Sequence, residues 1–169
     1  MRISRGRGQR RGAGLIVVHR ESQGGPSMAT AKELLQTMHD VWNSHDLRAW
    51  RELANADAQI TMPGVALSGP NGMEEMHRTW HEAFPDCSVS IATIIGEGEA
   101  AAAEATFTGT HTGVLRGPSG DVPATGKRVS LAYTNVIRAA NGRIATQHVL
   151  FDQVGLMTQL GLTPTPAHA

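Results

Sequence analysis

GRIATQHVLFDQVGLMTQLGL, residues 142–162, begins as a strand and ends as a helix. From Arg143 the side chains alternate between two faces. Ile144, Thr146, His148, Leu150 and Asp152 fall on one face; Arg143, Ala145, Gln147, Val149 and Phe151 fall on the other. Beyond Asp152 the apolar residues Val154, Leu156, Met157 and Leu160 recur at helical spacing, and Gly161 is placed to close that helix. A carboxylate therefore stands where a strand meets a short helix, on the same strand face as a histidine. Two roles fit Asp152: acid–base chemistry in a pocket, or capping of the helix that follows it. His148 lies four residues away, roughly 13 Å along a strand, so the pair marks two points of one cavity wall and not a dyad.

Upstream, three more extended runs precede this one: Cys87 to Ile95, Ala101 to Thr112, and Val129 to Arg138. Gly96-Glu97-Gly98-Glu99 and Asn141-Gly142 are hairpin signals between consecutive runs. Before Pro85 the period is helical. Leu34, Leu35, Met38, Val41 and Trp42 form one apolar face, Asp46 is placed to cap a short helix through Leu47, Trp50 and Leu53, and Met73, Met76, His77, Trp80 and Phe84 make a third stripe. Ala58 to Met62 alternates as a strand, and Leu67 to Gly72 reads as turn chemistry. Helices first and a meander of long strands afterwards predict an α+β fold, with the helices packed on one face of a curved, mainly antiparallel sheet.

The chain has 169 residues, 40% apolar and 18% charged, enough for one domain with a real core. Its single cysteine, Cys87, excludes an intrachain disulfide and a cysteine-based metal cluster, and suits a reducing compartment. The longest apolar run near the N-terminus, Leu15 to Val18, is too short for a signal-peptide core or a membrane span, so a cytoplasmic protein without membrane contact is expected. The net charge of zero hides an asymmetry: residues 1–27 hold six arginines and one glutamate, leaving 9 basic and 14 acidic residues beyond. A basic arm could tether nucleic acid, but it has no aromatic residue for stacking and no amphipathic period. Gln23-Gly24-Gly25, just before Met28, can be encoded by a purine-rich ribosome-binding sequence. The expectation is an arm at 1–27 that precedes the true start, Met28, a domain over 28–162 and a frayed tail at 163–169.

Several chemistries lack their motifs: there is no glycine-rich phosphate loop, no Gly-x-Ser-x-Gly elbow and no His-Glu-x-x-His pair. His77 and His81 are one helical turn apart without an evident third ligand, so no metal site is expected. Ala105, Phe107, Gly109 and His111 share a strand face opposite a row of threonines, and His111 opens a loop, Gly113 to Gly126, long enough to act as a lid. Read alone, His111 fits a strand-end ring in water better than a site residue. Tyr133 and Asn135 share a face with Val129, Leu131 and Ile137; they could bond a ligand oxygen, or be satisfied by structural partners if buried. Trp80, Phe107 and Leu150 would supply an apolar wall, and a carboxylate buried among them would have its pKa raised into the useful range.

Phe84-Pro85-Asp86, Phe107-Thr108-Gly109-Thr110-His111-Thr112-Gly113, Thr125-Gly126-Lys127, Asn141-Gly142-Arg143-Ile144, and Asp152-Gln153 with Gln159-Leu160-Gly161-Leu162 together resemble the SnoaL-like polyketide cyclases, also called ester cyclases, of the nuclear transport factor 2-like superfamily. The resemblance covers about residues 29–162. It implies a cone in which a strongly curved sheet wraps a pocket closed by three N-terminal helices, often dimeric through the outer sheet face. Ketosteroid isomerase, of the same superfamily, uses an Asp base beside an oxyanion-stabilising site. The resemblance further implies intramolecular aldol ring closure without metal or organic cofactor, Asp152 as the general acid/base, and His111 as a pocket residue. Two departures stand out: Thr146-Gln147-His148 replaces the Glu-x-Trp of many relatives, and the loop Arg116 to Ala124 is longer than theirs.

The expected activity is thus cyclisation of a hydrophobic carbonyl compound. Asp152 would remove the α-proton, His111 would hold the oxyanion with help from His148, Tyr133 or Asn135, and Trp80, Phe107 and Leu150 would form the wall. A non-catalytic binding module or dimeric scaffold of the same fold is the alternative. An Asp152 turned outward to cap its helix would favour binding; one turned inward would favour catalysis.

Overall fold

In the computed structural model, residues 29–162 are described; the basic arm, the proposed start at Met28 and the tail at 163–169 lie outside them. Helix α1 (Ala31–Ser44) starts at Thr30, which exchanges hydrogen bonds with Glu33 in a capping box. Helix α2 (Leu47–Glu52) is capped by Asp46, whose carboxylate accepts the Ala49 N–H at 2.9 Å, as the sequence predicts. Strands β1 (Ala54–Met62) and β2 (Val65–Ser68) form a hairpin, and α3 (Gly69–Ala83) follows with Pro70 in its first turn. Strands β3 (Ser88–Glu97), β4 (Ala100–Thr110), β5 (Arg128–Ala140) and β6 (Arg143–Phe151) form the meander, and α4 (Gln153–Gln159) closes the described chain. Strand β2 falls where the sequence suggested only a turn: four residues are too few for a period of two to show against Gly64 and Gly69.

The six strands run β2-β1-β6-β5-β4-β3 in one sheet, antiparallel throughout except where β1 lies parallel to β6. Asn141 and Gly142 both hold positive φ, 54° and 73°, the conformation a two-residue hairpin turn needs. On β4 the inward side chains are small: Ala101, Ala103 and Ala105 are all at most 4% exposed. Their size lets α1 lie close across β3, β4 and β5. Trp50 Nε1 donates to the Met73 carbonyl at 2.9 Å, which fastens α2 to α3 inside the core. The result is an α+β shell whose helices pack on the concave side of a mixed sheet.

One irregularity sets the shape of the site. Between β5 and β6 the register runs Arg138 to Thr146 and then Ala139 to Ile144, so Ala145 is an extra residue on β6. Such a bulge bends a strand and reverses which parity of residues faces inward. Ile144 points into the core before the bulge; Gln147, Val149 and Phe151 do so after it.

Candidate functional site

The concave side of the sheet holds a cavity of about 70 Å³, lined by α1, α2, α3 and the inner faces of β1, β3, β4, β5 and β6. Its wall is mostly apolar, and Trp80 and Phe107 meet there edge to face with ring centroids 5.3 Å apart. A larger cleft of about 950 Å³ opens outside it, and the two share Met62, Met76, Trp80 and Phe151. These four side chains separate the interior from the cleft.

The polar groups in the cavity are few. Tyr133 and Asn135 alternate inward along β5, and Gln147 joins them from β6, where its register partner is Ile137. His39 comes from α1. Its Nδ1 lies 2.7 Å from the carbonyl oxygen of Leu35, one turn back. A carbonyl accepts only, so Nδ1 carries the proton and Nε2 keeps its lone pair. His39 Nε2, Asn135 Oδ1 and Gln147 Oε1 are all buried and have no hydrogen-bond partner among the described residues. Three unpaired polar atoms on residues that line one apolar cavity mark a place for a ligand's polar atoms. Burial pushes the His39 pKa below its ordinary 6.5, against the opposing pull of the Leu35 carbonyl and Asp40, and it drives the Tyr133 phenol well above its ordinary 10. The His39 ring stacks on Tyr133 with centroids 6.2 Å apart.

Of the residues singled out in the sequence, Trp80, Phe107, Tyr133 and Asn135 line this cavity. The other four do not. His148 is on the outer sheet face, where its Nδ1 meets Thr61 Oγ1 at 2.6 Å, and Leu150 is 60% exposed beside it. Both were assigned by unbroken alternation from Ile144, and the bulge at Ala145 turns them outward. Asp152 is exposed; its Oδ1 accepts the Gly155 N–H at 2.9 Å and caps α4. Phe151 turns into the cavity instead, and Asp152 falls outside the carboxylate environment of Leu150, Phe107 and Trp80 that the sequence suggested. His111 is fully buried but away from the cavity: Thr125 N–H donates to its Nδ1 at 3.3 Å, Thr125 Oγ1 lies 3.1 Å from the same atom, and its ring packs on Phe84. It fastens the two ends of the Gly113–Gly126 loop, which is otherwise tied to the end of α3 by Thr112 and Gly113 N–H bonds to the Ala83 carbonyl.

His39 and Gln147 are the residues that sequence reasoning missed. The signal for His39 was present, because it falls one turn from Leu35 and three residues from Trp42 on the apolar face of α1. Gln147 alternates with Val149 and Phe151, and only the choice of strand face concealed it.

The sequence description of the SnoaL-like polyketide cyclases matches residues 32–160. Among solved structures, AclR from Streptomyces galilaeus, a proposed hydroxylase, is 28% identical with a TM-score of 0.69, over 82% of this chain and 100% of its own. IdmH from Streptomyces antibioticus, a proposed polyketide cyclase, is 25% identical with a TM-score of 0.65, over 79% and 99%. A Catenulispora acidiphila protein of ketosteroid isomerase-like fold shares the architecture at 15% identity and a TM-score of 0.66, over 82% and 100%. No curated protein matches the sequence.

Proposed function

The chain belongs to the SnoaL-like polyketide cyclase family, and on that premise we propose that it catalyses ring closure of a hydrophobic carbonyl compound with His39 as the base. The observation that carries this reading is the bare Nε2 of His39 in an apolar cavity, its proton held on Nδ1 by Leu35. An uncharged imidazole of lowered pKa is ready to accept a proton at neutral pH. Nε2 takes the proton α to a ketone or ester, and the electron pair of the broken C–H bond passes to the carbonyl oxygen. The developing oxyanion is met by the Tyr133 hydroxyl, while Asn135 Oδ1 and Gln147 Oε1 accept hydrogen bonds from hydroxyl groups of the substrate. The enolate carbon then bonds to a second carbonyl carbon of the same molecule, and the imidazolium returns the proton to the new alkoxide. Trp80, Phe107 and Phe151 hold the chain folded for that attack, so most of the acceleration comes from positioning.

A binding role without turnover is the second reading, favoured by the small cavity and by the outward, helix-capping Asp152. The two separate in one experiment: exchange of α-protons into deuterated water, followed by NMR over a panel of apolar β-keto esters. Catalysis predicts exchange that falls about 10²- to 10⁴-fold in His39→Gln and survives in Asp152→Asn, whose side chain still caps α4. Loss of exchange in Asp152→Asn with His39→Gln intact would return the base to Asp152. No protein-dependent exchange with any ester that binds would leave the binding role.

A further inference from the structure

We propose that His45, His81 and Cys87 form a site for one divalent cation of the zinc class, apart from the cavity. The three side chains arrive from separate segments: the residue that ends α1, the last turn of α3, and the approach to β3. One ligand atom from each lies within 4.8 Å of the other two. His77 and His81 looked like half of a metal pair in the sequence, and the fold supplies different companions. His77 stacks on His81 at 3.7 Å and packs against Trp42 and Trp50.

Each imidazole is anchored to a backbone carbonyl, as a ligating histidine usually is. His45 Nε2 lies 3.0 Å from the carbonyl oxygen of Cys87, and His81 Nδ1 lies 3.0 Å from that of His77. A ring that donates one N–H to a backbone carbonyl keeps a lone pair on its other nitrogen, the arrangement that fixes metal-binding tautomers. For His81 that second nitrogen stands 3.3 Å from the Trp42 carbonyl oxygen. A neutral ring can donate to only one of these two carbonyls, and a cation between Nε2 and the Trp42 oxygen would satisfy both atoms. His45 also adopts a left-handed backbone, φ 58° and ψ 22°. Glycine holds that conformation without steric cost, whereas this chain places an imidazole there.

Two nitrogens and a thiolate match the borderline-soft preference of zinc. Tetrahedral coordination needs donor atoms roughly 3.3–3.7 Å apart, from metal–nitrogen and metal–sulfur bonds of about 2.0–2.3 Å, so side-chain rotations of about an ångström close the site. His45 is exposed, which leaves the fourth position to water. Cys87 is buried; the cation displaces its thiol proton to solvent as the metal–sulfur bond forms, so affinity rises with pH. Bound metal would tie the end of α1 to α3 directly behind Trp42, whose ring lies 4.4 Å from that of His81 and forms part of the cavity wall.

The test uses the full chain freed of metal and titrated with Zn²⁺ alone or Co²⁺ alone. One equivalent of cation should bind, with a thiolate-to-cobalt charge-transfer band in the near ultraviolet and a raised Tm in zinc. Cys87→Ser should abolish the band. His45→Gly should weaken binding by at least about tenfold, a loss of the size seen when metal sites lose supporting groups, while the metal-free variant melts no lower than the parent. Absence of saturable binding, or stoichiometric binding that both variants retain, would overturn the site. A band kept in His45→Gly at unchanged affinity would equally remove His45 and with it the proposal.

Discussion

Among the buried histidines of this chain, His77 and His111 also leave Nε2 without a partner among the described residues, and His39 is set apart by lining the cavity with its proton assigned by a backbone carbonyl. His39 has its proton assigned by Leu35 and its second nitrogen left bare; His111 has its Nδ1 occupied by Thr125, and His148 stands outside. Since His39 works as a base only when neutral and burial holds it below 6.5, the acid limb of the pH–rate profile is expected below pH 6.5. Measuring kcat/KM from pH 4 to 8 checks this. His77 gives a matching statement about stability. Burial first, then the neighbouring His81, His45 and Arg78, lowers it from 6.5 to about 4. Between those values the unfolded chain binds more protons than the folded one. The contribution is therefore complete above pH 6.5 and is lost as pH falls toward 4. Tm followed across that window should decline in the parent, and the decline should be shallower in His77→Phe, which cannot take up the proton. At this scale the sequence was readable for side chains on uninterrupted periods, such as Tyr133 and Asn135. It was misleading wherever a single inserted residue changed parity.

At the scale of elements, nearly every helix and strand could be read from periodicity, because amphipathic stripes and alternation are what the core selects. The bulge at Ala145 could not be read: an extra residue inside nine otherwise alternating ones leaves no mark when both faces carry apolar and polar side chains. Its effect is large, since it exchanges His148 and Leu150 for Gln147 and Val149 at the cavity. The expected lid is a second case. Loop length alone suggested mobility, but the segment after His111 begins against α3. A Cβ added at Gly113 would lie 1.9 Å from the Glu82 carbonyl oxygen, which is backbone and cannot move aside cheaply. Gly113→Ala should consequently destabilise the protein by about 1–3 kcal/mol or more, read as a lower midpoint in urea, with the loop detached from α3.

For the whole molecule, the decisive dimension is the contrast between a cavity of about 70 Å³ and a cleft of about 950 Å³. Small-molecule sites usually occupy roughly 300–1,000 Å³, so a ligand with several rings reaches His39 only when the boundary side chains yield. Trp80 is the largest of them. Trp80→Ala should join the two spaces and admit bulkier apolar ligands, at a stability cost of about 3 kcal/mol; dye displacement and a denaturant midpoint measured together would show both. The parallel contact of β1 with β6 carries a different consequence. Thr61 and His148 touch across 87 residues of chain, and the central position of the sheet stays vacant until β6 arrives. During synthesis α1, α3 and β1 emerge first and must wait, apolar faces uncovered, for the last strand of the domain. Non-local closure of this kind is slow. The interval before β6 leaves the ribosome is then the period in which the nascent chain is most exposed to aggregation and most dependent on chaperones.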